Sequence, residues 1–380
     1  MRVLFTSSAG LGHLFPMIST AWALRAAGHE VRVATTGPAA TAAANAGLAV
    51  VESCPGIDWE AEIQRIIQQN FGTEGMASPK PGEPRPDSMA AAGVMFARMA
   101  DMATDETVRQ AALWQPDLVV YDLTDATGPI VAAKLGIPCV QHGFGLTDAR
   151  ELFDGMLPHL TDTFTRLGVD GLAEKANAID VAPPSLEGEL KGISTRYVPY
   201  NGGAVLPQWL SGAKERPRIV ITMGTAMATH VGLNPWRAIL DVAVDADAEL
   251  ILAAGSMDLS ELGELPPHVR TIGYLPLGAL LGVCDALVHH GGSGSTLTAV
   301  DAGVTQLIVP QGADQFYNAE RIAKRGAGLS AEHEGVTAEQ IHRLLHDQDI
   351  KTAVAEVKAE MAAQPSPAEL VPHLEAIAGH

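Results

Sequence analysis

Basic residues are scarce in this chain. Across 380 residues, Lys and Arg number 25 against 44 Asp and Glu, a formal net charge of −19. So acidic a surface lacks the footprint that nucleic acid or an anionic membrane demands. It leaves room for a small anion site, because backbone amides can hold an anion without lysines. Cysteine is scarcer still. Cys54, Cys139 and Cys284 stand far apart with no C-x-x-C pair, which excludes a disulfide framework and fits buried thiols in a reducing compartment. No window of about 18 unbroken apolar residues occurs, so no membrane-spanning helix is expected. Met1–Ser8 runs directly into a strand pattern without the charged and long apolar segments of a secretory leader, so a cytoplasmic location is expected. No His/Cys/Asp/Glu cluster has zinc-ligand spacing. Gly10-Leu11-Gly12 lacks the third glycine of the dinucleotide fingerprint, which disfavours a dehydrogenase. Gly292-Ser293-Gly294 falls short of a nucleophile elbow.

What is present is a two-domain α/β pattern. Hydrophobic residues make up 47% and charged residues 18%, a globular balance, and the length exceeds one ordinary core. Val3–Thr6, Val31–Thr35 and Leu48–Val51 read as strands, with helices predicted over Leu14–Ala27 and Ala39–Ala46 and a turn over Ser7–His13. That βαβαβ rhythm implies a parallel doubly wound sheet. Residues 52–90 read as a long loop, a lid or a disordered insertion, because four prolines crowd Pro79–Asp87. Helix is predicted over Met95–Leu113 and Ala126–Lys134, strand over Asp117–Asp122 and Ile137–His142, and Gly143–Ser194 reads as largely irregular. A second rhythm of strands begins at Arg218 and recurs at Leu250–Ala254, Val269–Gly273, Ala286–His290 and Thr305–Pro310. The division that follows is a domain over 1–200, a linker over 201–217, a second domain over 218–364, and a last helix over 365–380 that crosses back to the first.

One stretch organises the rest. Ala286–His290 is an apolar strand, Gly291 and Gly292 form a turn, and Ser293-Gly294-Ser295 opens a helix. Unpaired N–H groups at such a helix start converge on one point, and the macrodipole adds positive charge there. His290, at the strand's end, is placed to donate to the same anion, a phosphate or diphosphate. The plainer reading is a glycine turn that merely joins strand to helix. Ligands of doubly wound sheets bind beyond the carboxyl ends of the strands. Those ends carry Gly10–His13, Asp122 and His142 in the first half, and Thr225, Tyr274-Leu275, His290–Ser295 and Asp314-Gln315 in the second. If the halves face each other, these line one cleft.

Three motifs together carry a family resemblance: Gly10-x-Gly12-His13-x-x-Pro16, the His290–Ser295 loop, and Pro310-x-x-x-Asp314-Gln315-x-x-Asn318-Ala319. The chain resembles glycosyltransferase family 1 over essentially its whole length. The linker Val198–Gly203 with Pro207-x-Trp209-Leu210 is similar to that of actinobacterial enzymes that glycosylate polyketides and other secondary metabolites from nucleotide-activated deoxysugars. The resemblance implies a GT-B fold of two Rossmann-like domains, with the nucleotide sugar on the C-terminal one. It also implies inversion at the anomeric centre, no metal, and a thymidine- or uridine-linked donor in antibiotic biosynthesis.

By position, His13 resembles the general base and Asp122 its orienting partner, although Asp125 stands close enough to share that role. An unperturbed imidazole titrates near about 6.5, suited to accepting a hydroxyl proton near neutrality. His290, Gly292, Ser293, Gly294 and Ser295 resemble the diphosphate holders, and Thr225 is placed to reach the same group or to act as an N-cap. Tyr274 stands where relatives often have Trp, which keeps an aromatic face for a nucleobase, and the Leu275 backbone would read its edge. Asp314 and Gln315 resemble the pair that binds sugar hydroxyls. His142 and Phe144 are candidate acceptor contacts, against a plainer place in the core. Asp245-Ala246-Asp247 matches the D-x-D metal motif of another transferase fold, but it precedes a strand instead of following one, and reads as a solvated helix end. Two rivals stand beside the transferase: a nucleotide-sugar epimerase or hydrolase of the same fold, and a non-catalytic homologue that binds an aglycone or a protein partner. A homodimer is plausible for the group.

Overall fold

The structure, a computed structural model, describes residues 1–71, 88–147, 150–187, 192–212, 214–224, 233–332 and 335–380. The chain divides into two compact units. The first comprises Met1–Val181, Glu189–Arg196 and Pro365–His380; the second comprises Ala182–Gly188 and Tyr197–Gln364.

In the first unit the strands are β1 (Arg2–Thr6), β2 (Glu30–Thr35), β3 (Ala49–Glu52), β4 (Leu118–Asp122), β5 (Cys139–His142), β6 (Asn177–Asp180) and β7 (Ile193–Ser194). The helices are α1 (Leu11–Ala26), α2 (Gly37–Asn45), α3 (Trp59–Phe71), α4 (Ser88–Trp114), α5 (Thr127–Leu135), α6 (Arg150–Met156) and α7 (Thr161–Leu167). The strands form one parallel sheet in the order β3-β2-β1-β4-β5-β6-β7. The chain starts in the middle, runs outward through β2 and β3, then returns to lay β4 beside β1. That reversal is the topological switch point, beyond whose strand ends ligands of such sheets bind.

The second unit repeats the plan. After α8 (Pro184–Glu187) come β8 (Arg218–Thr222), α9 (Asn234–Ala243), β9 (Glu249–Ala253), β10 (Val269–Ile272), α10 (Leu277–Leu281) and β11 (Ala286–His289). Next are α11 (Ser293–Ala302), β12 (Thr305–Ile308), α12 (Gln315–Arg325), β13 (Leu329–Ser330), α13 (Ala338–His346) and α14 (Gln348–Ala363). The order β10-β9-β8-β11-β12-β13 puts the switch between β8 and β11. β8 is buried at every position and carries the unbroken run Ile219-Val220-Ile221, because both sheet faces are covered. Ile219 and Ile221 pack with Trp236, Leu250 and Ile341 on one side, and Val220 packs with Ile251, Leu287 and Ala299 on the other. The final helix, α15 (Pro367–Ala378), belongs to the first unit, where it packs on α1 and Glu375 meets the ring of His29 at 2.9 Å.

Three local readings change. Residues 52–90 are not one long loop: α3 forms where Asp58 Oδ1 accepts the Ala61 N–H at 3.1 Å, a helix-start bond that the prolines further on obscured. The proline run itself lies outside the described residues. Gly143–Ser194 holds α6, α7, β6 and β7, the two strands too short and too polar at their ends to show as apolar runs. The turn after β1 is shorter than its glycines suggest, since α1 starts at Leu11 with Gly10 as N-cap, so His13 lies in a first helical turn. Asp245 and Asp247 sit between α9 and β9, as a solvated helix end would. No helix among the described residues is long and apolar enough to cross a membrane, and all three cysteines are free and buried.

Candidate active site

Each switch point gathers its own set of polar groups. In the first unit β1 and β4 are neighbours in register, Thr6 opposite Tyr121. The residues that leave these strands therefore meet beyond them: His13 from the first turn of α1, and Asp122 at the end of β4. His13 Nδ1 lies 3.3 Å from Asp122 Oδ1 and 3.0 Å from Thr124 Oγ1. The carboxylate is fully buried, while about a quarter of the imidazole is exposed, at 24%. Asp122 is saturated with donors. The Thr124 N–H reaches Oδ1 at 3.0 Å, and the Thr124 hydroxyl (2.9 Å) and Ser8 N–H (3.3 Å) reach Oδ2. Burial pushes this carboxyl up, but the His13 charge, the imidazole hydrogen bond and the Thr124 donors outweigh it and hold it below the usual carboxylate range.

Asp125 takes no part in this pairing. Its carboxylate accepts the Thr127 and Gly128 N–H groups at 3.0 and 3.2 Å, satisfying the start of α5. Burial foremost, and the neighbouring Asp122 charge, push its carboxyl up. Two aromatic rings stand edge-on to His13, Phe144 at 5.1 Å and Phe96 at 5.7 Å between centroids. His142 does not join them. Its Nδ1 donates to the Gly143 carbonyl at 2.7 Å and its Nε2 accepts from Thr20 Oγ1 at 2.9 Å, so both nitrogens are used in the core. Burial lowers that ring to about 4, and the candidate acceptor contact becomes a packing residue.

In the second unit β8 and β11 adjoin, His289 opposite Thr222, so Gly224 and His290 emerge side by side. The half-buried His290 ring lies between two glycines. A Cβ on Gly224 would meet Cε1 at 2.5 Å, and one on Gly292 would meet Nε2 at 2.5 Å. Its Nδ1 is buried without a protein partner among the described residues, and burial lowers the ring to about 4, partly offset by Asp314. Gly292 caps α11 without a side-chain bond. Among the described residues, the N–H groups of Ser293, Gly294 and Ser295 make no hydrogen bond. Three amides and the positive end of α11 thus remain for an anion.

The Ser293 hydroxyl points elsewhere, donating to Asp314 Oδ2 at 2.7 Å. Asn318 Nδ2 ties the same oxygen (2.9 Å) to the Gly291 carbonyl (2.8 Å), so Asp314 is anchored to the glycine turn. Gln315 is committed inward, its Oε1 accepting the Gln311 and Gly312 N–H groups at 2.8 and 3.2 Å. Tyr274 and Leu275 follow β10. Tyr274 is 46% exposed, enough to offer a face, and its hydroxyl donates to the Asn201 carbonyl at 2.5 Å. Asn201 in turn reaches Thr298 on α11 at 3.5 Å. Thr225 lies outside the described residues. Sequence reasoning missed Thr124 and Asn318. The first had a signal in the Asp122-x-Thr124 pattern of an Asx turn; the second stood in a quoted motif but was given no role.

Residues 22–224 match the N-terminal domain of the erythromycin biosynthesis protein CIII-like family, and residues 237–377 match its C-terminal domain. The chain is 38% identical to the elloramycin glycosyltransferase ElmGT of Streptomyces olivaceus, over 100% of this chain and 98% of the relative. Among solved structures, it resembles the glycosyltransferase SnogD from Streptomyces nogalater at a TM-score of 0.85, with 38% identity and coverage of 100% and 99%. It also resembles the Streptomyces sp. SF2575 glycosyltransferase SsfS6, complexed with thymidine diphosphate, at a TM-score of 0.83, with 31% identity and 99% of each chain covered.

Proposed function

This chain belongs to the erythromycin biosynthesis protein CIII-like family and is a glycosyltransferase of the GT-B fold, and from that premise we propose a metal-independent, inverting transfer from a thymidine diphosphate sugar to a hydroxyl of an aromatic or polyketide aglycone. The observation that carries the donor assignment is the open start of α11, where three unbonded amides adjoin His290. As the glycosidic bond to phosphate breaks, its electron pair passes to the diphosphate, and donors fixed there stabilise the transition state more than the ground state. That charge is what a divalent cation would otherwise neutralise. Thymidine diphosphate in the SsfS6 complex supports the choice of nucleotide.

His13 is the base in this reading. Its Nδ1 faces Asp122, so Nε2, across the ring, takes the acceptor proton while the oxygen attacks the anomeric carbon opposite the leaving group. Asp122 holds the ring's orientation and stabilises the imidazolium that forms. Asp314 Oδ1 is the carboxylate oxygen left for a sugar hydroxyl, and the exposed Tyr274 ring offers a face to the nucleobase. Phe96 and Phe144 line the acceptor side of His13. Titration calorimetry with thymidine and uridine diphosphates, both in EDTA, tests the donor half. Tight binding of the thymidine nucleotide is expected; binding that needs added magnesium refutes metal independence, and binding of neither nucleotide refutes the α11 assignment.

A further inference from the structure

We propose that Thr124 is a positioning residue that sets the tautomer of His13, carrying the influence of Asp122 to the ring through its hydroxyl. The inference rests on His13 acting as the base. A threonine hydroxyl has one proton, and here that proton goes to Asp122 Oδ2 at 2.9 Å. The same oxygen then faces His13 Nδ1 with a lone pair, at 3.0 Å. Nδ1 must therefore carry the ring's proton and donate it. Its nearest acceptor is the hydroxyl, since the carboxylate oxygen stands farther off at 3.3 Å.

The result is a chain of two aligned bonds, imidazole to hydroxyl to carboxylate, beside a longer direct contact. Polarised chains of this kind strengthen each member. They also leave one tautomer favoured, with the basic lone pair on Nε2. The Thr124 N–H reaches Asp122 Oδ1 at 3.0 Å, so the backbone around the hydroxyl is fixed by the carboxylate it serves. Asp122 cannot replace the hydroxyl by approaching the ring, because Ser8 and Thr124 N–H groups hold both its oxygens in place.

The test compares T124V, which keeps the shape and loses the hydroxyl, with T124S, which keeps the hydroxyl and loses the methyl. The full-length chain is labelled with nitrogen-15, and the His13 ring shifts are read near pH 8. Wild type and T124S are expected to show a protonated Nδ1 and an unprotonated Nε2. In T124V the tautomer ratio should move about fivefold towards Nε2–H, the scale of one lost hydrogen bond. A packing role gives the opposite ranking, with valine native-like and serine perturbed, and that overturns the proposal. So does a native-like ring in both variants, or a wild-type ring already protonated at Nε2. Should T124V fail to fold by thermal melting, T124A against T124S makes the same comparison. Turnover of H13A judges the base assignment separately. An active H13A refutes that reading whatever the ring spectra show.

Discussion

Gly10→Ala isolates the geometry of His13, the proposed base. Gly10 has an ordinary backbone, with φ −76°, so a side chain is not barred by conformation. It is barred by space. An added Cβ would sit 2.6 Å from His13 Cδ2, where ordinary contact begins at 3.4 Å. The ring must then move about 0.8 Å, and its Nδ1 is already 3.3 Å from Asp122. Misplacement on that scale costs on the order of 100-fold in rate, or about 2.7 kcal/mol of transition-state stabilisation. Stability should fall by only about 0.5–1 kcal/mol, the cost of alanine at an N-cap. The assay is steady-state turnover beside calorimetric affinity for thymidine diphosphate. A large loss of kcat is expected with nucleotide affinity unchanged, since that ligand is assigned to the second unit. Gly12→Ala is the control for the ring: its Cβ meets nothing within 4 Å, so the His13 resonances should stay in place. If Gly10→Ala turns over within threefold of wild type, His13 is not the base, or its position does not matter.

Other outcomes follow from the same contacts. Asp125→Asn should leave turnover far less affected than Asp122→Asn, because Asp125 serves the start of α5; equal losses would show that both carboxylates orient the ring. Asn318→Ala should weaken nucleotide-sugar binding more than binding of the bare nucleotide, since it frees Asp314 from the glycine turn; equal weakening would place its role in the diphosphate loop alone. Ala313 has φ +52°, a left-handed backbone that disfavours any side chain. Ala313→Gly should therefore stabilise the second unit by about 0.5–1 kcal/mol, read as a rise in Tm. His142, His289 and His290 have folded values of about 4, 3 and 4, held down by burial. Their unfolded values lie higher, so unfolding takes up protons as pH falls below about 6.5, and stability is lost in that window. The loss is up to about 1.4 kcal/mol per pH unit for each ring. Urea midpoints that match at pH 8 and 5.5 would contradict these neutral histidines.

The fold was largely legible because burial on both faces makes parallel strands continuous apolar runs, and β1, β4, β8, β9 and β11 each hold such a run, while β2 and β12 showed through shorter runs of β-branched and aliphatic residues. β6 and β7 did not, being short and flanked by polar residues. α3 was hidden for another reason: its start is marked by Asp58, but the prolines after it dominated the reading. Motif and strand end together placed His13, Asp122 and His290 at the two switch points. What sequence could not give was how a shared side chain is spent. Gln315 stands in a motif, yet its amide closes its own turn. His142 ends a strand, yet Thr20 and a carbonyl take both its nitrogens. Thr124 lies in no motif, and only the distances around Asp122 single it out.

Residues 365–380 complete the first unit, with α15 lying on α1 and Glu375 holding His29. During synthesis, then, the domain that emerges first is the last to be finished. The second unit is complete in sequence at Gln364, while α1 still lacks the helix that packs on it. A chain cut after Gln364 keeps every residue of the second unit and lacks the helix that completes the first. The first unit thus depends for its completion on residues far in sequence from the helix they cover.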